Sequence, residues 1–202
     1  QHKDWDKKIR LEFNQEKYKN LFNEYEKIKI DPFYHHNKLN NKTNFPNEII
    51  NLQLIDAKDP KTANKKALNA LNSGVNGLCF SNPKNLKILL KDIKTEYIKI
   101  DFINIQESFI DELKNYSDLD KIHGAIKTNS TENFKNLKRI VFGKGKNIKD
   151  QIKHALDEGL KNNDEIEFHF EIDNNFFFEI AKIRAFRILW ESKTGKNPFI
   201  NT

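Results

Sequence analysis

Methionine is absent from this chain, and cysteine occurs once, at Cys79. A single thiol excludes an internal disulfide, and its apolar neighbours place it in a buried strand rather than at a nucleophilic site. No run approaches the roughly 18 apolar residues that a membrane-spanning helix needs. The first residues, Gln1 to Lys8, are polar and charged, so no secretory signal opens the sequence. A reducing, cytoplasmic setting is therefore expected. With no methionine and a glutamine at position 1, the chain is expected to be less than an unprocessed translation product. Arginine is scarce as well: only Arg10, Arg139, Arg184 and Arg187 occur. The formal charge of +6 comes mostly from lysines scattered among acids and asparagines. A nucleic-acid reader would cluster arginine and aromatics on one surface, so a solvated Lys-rich surface is the expected reading.

What is present is a rhythm. Residues 1 to 30 read as a charge-rich helical lead-in around Trp5, Ile9, Phe13 and Tyr18. Ile28 to Tyr34 reads as a short extended piece stopped by Pro32, and Asn37 to Asn47 as a polar loop. From there apolar strand patterns alternate with helix patterns: strands at Ile49–Ile55, Val75–Phe80, Tyr97–Ile103, Ile122–Ile126, Leu137–Phe142 and Ile166–Ile172. Helices are expected between them. Asp59-Pro60 and Asn82-Pro83 supply start signals and Gly74 a stop. Leu86 to Ile93 marks a second helix, and Thr131 to Asn136 a poor one. Phe199-Ile200 opens a seventh strand. Such alternation implies parallel strands with crossover helices. The expected fold is α/β: an incomplete (β/α)8 TIM-type barrel of about six βα units over 46–202, preceded by an arm and linker over 1–45. A doubly wound sheet has the same periodicity and stays open as the alternative.

The densest stretch is Phe176-Phe177-Phe178-Glu179-Ile180-Ala181-Lys182-Ile183-Arg184-Ala185-Phe186-Arg187-Ile188-Leu189-Trp190. Apolar residues recur at helical spacing, yet Glu179, Lys182, Arg184 and Arg187 are set among them. Charges in a largely buried helix need partners. Glu179 and Lys182 are three apart and can pair locally. At least one of Arg184 and Arg187 is expected to be buried against a carboxylate or strand-end carbonyls.

This stretch resembles the FFxEIAKxRAxRxLW signature of the cobalamin-dependent methylmalonyl-CoA mutase family. Lys29 to Tyr34 resembles the segment leading into that family's barrel. Gln53 to Val75 resembles its first βα unit, and Gly145 to Ile152 the start of a later helix. Order and spacing are similar to the small (beta) subunit. The resemblance implies a heterodimer with a catalytic large subunit, which would hold adenosylcobalamin and isomerise methylmalonyl-CoA and succinyl-CoA by radical chemistry.

The family's catalytic positions are not matched. Its cobalamin motif, DxHxxG, is absent. Where the large subunit carries IRQY, this chain reads Asn51-Leu52-Gln53-Leu54. Where it carries a barrel histidine, Arg139 to Lys144 has none. Where it carries RLSF, the chain reads Glu165-Ile166-Glu167-Phe168, and carboxylates would repel an anionic acyl-CoA. The resemblance thus implies a non-catalytic subunit with no catalytic, cofactor-binding or metal residues of its own. The signature residues Glu179, Lys182, Arg184, Arg187 and Trp190 would serve structure or interface. Two alternatives stay open: a catalytic mutase half fed with cobalamin by another chain, and a basic nucleic-acid-binding module.

Other candidates have plain readings beside the functional ones. His35-His36 has no third ligand at metal spacing and reads as a loop. His169 alternates with Phe168 and Phe170, which suits a core histidine bonded to a neighbour more than a catalytic acid. His123 lacks a base partner. Gly143-Lys144-Gly145-Lys146 is a candidate phosphate loop at Gly143 and Gly145. It lacks the full P-loop pattern, and a tight βα turn explains it equally.

Overall fold

The computed structural model describes residues 2–34, 49–130, 132–161 and 165–202. The His35-His36 pair, the polar loop Asn37 to Asn47, the 45/46 boundary and Thr131 lie outside the described residues.

The N-terminal arm is more than helical. After α1 (His2–Glu12) and α2 (Gln15–Lys19) it forms an antiparallel hairpin, β1 (Asn23–Tyr25) and β2 (Ile28–Ile30). Glu26 and Lys27 make its two-residue turn, both at positive φ, 48° and 61°. That backbone twist suits a hairpin, but its usual sequence is Asn-Gly. A Glu-Lys pair therefore hides the turn from sequence reading.

Seven strands then form one sheet in strict chain order: β3 (Leu52–Asp56), β4 (Gly77–Ser81), β5 (Lys99–Ile103), β6 (His123–Ile126), β7 (Leu137–Phe142), β8 (Ile166–His169) and β9 (Phe199–Asn201). Every neighbouring pair is parallel. The crossovers carry α3 (Pro60–Asn72), α4 (Leu86–Leu89), α5 (Glu107–Lys114), α6 (Ile148–Leu160) and α7 (Phe176–Thr194). Asp59 caps α3, its side chain accepting the Thr62 amide, with Pro60 in the first turn, as the sequence predicts. The expected helix from Leu86 to Ile93 is only one turn long. It is capped by Asn85 rather than Asn82, and Asp92 at positive φ ends the segment.

The sheet curls into an incomplete TIM-type barrel rather than a doubly wound sheet. Its outward side chains form two clusters. Ile55, Leu78, Phe80, Ile100 and Phe102 pack with Ala63, Ala67, Leu86, Leu89 and Phe109. Val141, Phe168 and Phe170 pack with Ala155, Leu156, Phe186 and Trp190. Between these clusters the ring has a gap. The expected helix over Thr131 to Asn136 is not formed by its described residues. Instead the Ser130 amide donates to Thr128 Oγ1 and the Glu132 amide to Ser130 Oγ. Short polar side chains here take up the amides that a helix would use.

Candidate functional site

Side chains alternate along a strand, so the faces opposite the helix-packed residues line the barrel. One interior layer follows from register: Leu54 beside Cys79, Cys79 beside Asp101, Asp101 beside Ala125. Across the barrel, Glu167 stands between Ile140 and Phe199. Lys99, two residues before Asp101, shares its face. Its ammonium lies 2.8 Å from Asp101 Oδ2 and 2.5 Å from Glu167 Oε1. His169 Nε2 lies 2.9 Å from the same Glu167 oxygen, and Asp101 Oδ1 accepts the Ala125 amide at 2.9 Å. His169 is thus a core histidine bonded to a neighbour, its ring edge-on to Phe142.

The charges in this cluster divide the two carboxyls. Burial, then the Glu167 charge, pushes Asp101 up to about 6. Glu167 is held below the usual carboxylate range although burial opposes it, because His169 and Lys99 both bond to its oxygen. Burial and the Asp101 charge push the Cys79 thiol up to about 12, which removes the thiolate that a nucleophile needs. Asp101, Glu167 and His169 are also close enough to share a metal ion. The position between the two carboxylates, however, is already taken by the Lys99 ammonium. These residues form an ionic lock across the barrel interior, satisfied from within.

The C-terminal rim, where barrels of this type carry their chemistry, is similarly self-bonded. Asn82 Nδ2 donates to Asp56 Oδ1 and Ser81 Oγ, and Asn104 Nδ2 donates to Ser81 Oγ. Asn82 and Asn104 adopt positive φ where the chain turns off β4 and β5. At the opposite mouth a cavity of about 600 Å³ opens among Leu52, Lys99, His123, Lys138, Arg187 and Phe199. It lies between β3 and β9, the two edge strands of the seven-stranded sheet.

The signature residues fall into two groups. Glu179 and Lys182 are buried, not solvated, and form an ion pair. The Lys182 ammonium also donates to Gln151 Oε1 on α6 at 3.0 Å and to the Glu171 carbonyl after β8 at 2.6 Å. Two hydrogen bonds and one ion pair on a single ammonium fasten α7 to α6 and to the end of β8. Trp190 is buried against Phe168 and Phe186. The expectation for the arginines fails: Arg184 is exposed and Arg187 half-buried, and among the described residues neither is ion-paired to a carboxylate. Burial alone lowers the Arg187 guanidinium from its ordinary value. The reason is angular. Positions 179, 182, 186 and 190 follow the three- and four-residue steps of one helix face, and 184 lies off it.

The candidate phosphate loop is filled from within. A Cβ on Gly143 would stand 2.3 Å from the Phe170 ring, and one on Gly145 2.5 Å from Asp150 Cβ, so close packing accounts for both glycines. The Ile148 amide of α6 donates to Glu26 Oε2 at 2.6 Å, and Lys149 donates to the Lys27 carbonyl at 2.8 Å. Tyr25 packs on Phe178 of α7. The arm hairpin thus puts a carboxylate on the helix N-terminus beside the candidate phosphate loop. Sequence reading missed this contact and the Lys99 lock, since both join residues far apart in the chain.

The sequence model of the methylmalonyl-CoA mutase family (MM_CoA_mutase) matches residues 147–199, from the start of α6 to β9. That match, over the elements that hold the signature, supports the methylmalonyl-CoA mutase family. No curated protein and no solved structure matches the chain. Adenosylcobalamin, which the family resemblance implies for the assembled enzyme, has no evident seat here. The chain lacks DxHxxG, and at the rim Asp56, Ser81, Asn82 and Asn104 bond to one another. No helix among the described residues is long and apolar enough to cross a membrane.

Proposed function

We propose that this chain is a small, non-catalytic subunit, or an N-terminal portion of one, of a cobalamin-dependent methylmalonyl-CoA mutase. It would support the isomerisation of methylmalonyl-CoA and succinyl-CoA by pairing with a catalytic large subunit that carries adenosylcobalamin. The observation that carries this reading is the Lys99 lock. An acyl-CoA is anionic, and a barrel that holds one needs a free cation on its interior wall. Here the cation at mid-barrel is shared between Asp101 and Glu167, and a net carboxylate excess faces the interior.

Surface features support a pairing role. Phe177 is 80% and Ile180 42% exposed on one side of α7, and Leu54 and Phe199 are exposed on the two unpaired edges. Phe177 and Ile180, three residues apart on one helix, offer a contact surface.

Calorimetric titration of the purified chain tests the reading. Neither adenosylcobalamin nor methylmalonyl-CoA should give a saturable heat. Micromolar binding of either would favour a catalytic chain instead.

A further inference from the structure

The gap in the helical ring leaves a polar cavity of about 320 Å³ at the C-terminal ends of β6 and β7, outside the barrel. Without a crossover helix to cover them, Lys127, Asn129, Lys144 and His154 line it. Arg139 is committed to the loop, donating to the carbonyls of Thr128 at 3.1 Å and Ser130 at 3.0 Å. Lys127 is not so committed. Its ammonium has three protons; it donates to the Ile140 carbonyl at 3.3 Å and lies 5.9 Å from the centre of the Phe142 ring. Among the described residues Lys144 has no ion pair, and His154 Nδ1 is a buried polar atom without a hydrogen-bond partner. One acid, Glu158, also lines this wall; it is bonded to Lys161 at 2.6 Å, and its charge acts on Lys127 as well. Burial, then the charges of Lys144 and Arg139, lower the Lys127 ammonium against the opposing pull of Glu158, so the cations here repel one another. Such a group is relieved by an anion that accepts several hydrogen bonds at once.

We propose that this cavity binds a small phosphate-bearing anion, with Lys127 and Lys144 supplying charge and His154 Nδ1 and Asn129 completing the hydrogen bonds. The site is separate from the barrel interior and does not depend on the mutase reading. The phosphate could be the free ion or the end of a phosphate monoester; the chemistry that recognises both is the same.

The test is NMR titration of the full chain in low-salt buffer, first with inorganic phosphate and then with glycerol 3-phosphate. The His154 ring nitrogens and the Thr128 and Asn129 amides should shift and saturate with one of them, the tighter naming the source. Lys144→Ala removes an exposed side chain and should weaken binding about tenfold, the loss of one charge-assisted contact. Lys146→Ala, on the same loop but outside the cavity, should leave it unchanged. Shifts that stay linear through millimolar concentrations of both ligands would overturn the proposal. So would equal weakening by Lys144→Ala and Lys146→Ala, which would reduce the effect to net charge.

Discussion

Lys99 on β5 and Glu167 on β8 meet at 2.5 Å although β6 and β7 lie between their strands in the sheet. Three strand spacings of about 4.8 Å would separate them by roughly 14 Å in a flat sheet. The ion pair therefore measures the curl of the barrel directly, and it distinguishes this fold from a doubly wound sheet of the same strand order.

Lys99→Met should be strongly destabilising, since it leaves two carboxylates buried without their cation. Loss of one partner of a buried pair typically costs about 3 to 5 kcal/mol. Urea denaturation at pH 7 measures it. Adding Asp101→Asn to Lys99→Met should recover part of the loss, and a purely additive penalty would show that the two side chains do not interact.

The same cluster sets a pH dependence. Asp101 is raised to about 6 in the folded chain, against about 3.9 unfolded, so between those values the folded state holds its proton more tightly. By linkage, this group's contribution to stability is full below about 4 and is lost as pH rises through about 6. Glu167, held low, acts in the opposite sense and loses its contribution as the medium turns more acidic. Asp101→Asn should therefore gain stability relative to the parent chain between pH 4 and pH 7. A difference that stays constant across denaturation curves in that range would contradict the assignment.

Within the signature, Lys182 rather than either arginine should govern stability. Lys182→Ala leaves Glu179 buried and unpaired and frees the Gln151 and Glu171 oxygens, at a cost of about 3 to 5 kcal/mol. Arg184→Ala, at an exposed position, should stay within about 0.5 kcal/mol. Thermal melts of the two variants give the comparison.

Much of this was legible before the structure. Strand order, the Asp59-Pro60 cap, the buried Cys79 and the Glu179–Lys182 pairing follow from spacing, because each depends on residues near one another in the chain. Three features were not. The Glu26-Lys27 turn uses residues that rarely take positive φ. Before Asn133, the Thr128 and Ser130 side chains take up the amides of Ser130 and Glu132. The partners of Lys99 and Lys182 are fixed by barrel closure, which periodicity does not encode. The arginines drew attention by their rarity, but helix angle, not composition, decides which charge is buried.

Glu26→Gln should loosen the arm without unfolding the barrel. The carboxylate on the α6 N-terminus acts as a cap, worth about 0.5 to 2 kcal/mol. Hydrogen exchange at the Ile148 amide should quicken in the variant, while amides of β5 and β8 keep their protection. Unchanged exchange at Ile148 would mean that the hairpin is not seated there in solution.

The most direct test of the assigned role is reconstitution with the catalytic large subunit of a methylmalonyl-CoA mutase from the same source, followed by size exclusion with light scattering. The account predicts an equimolar complex in which this chain travels with the cobalamin absorbance and contributes no turnover when assayed alone. A large subunit that elutes by itself with full activity, or methylmalonyl-CoA turnover by this chain alone, would contradict it.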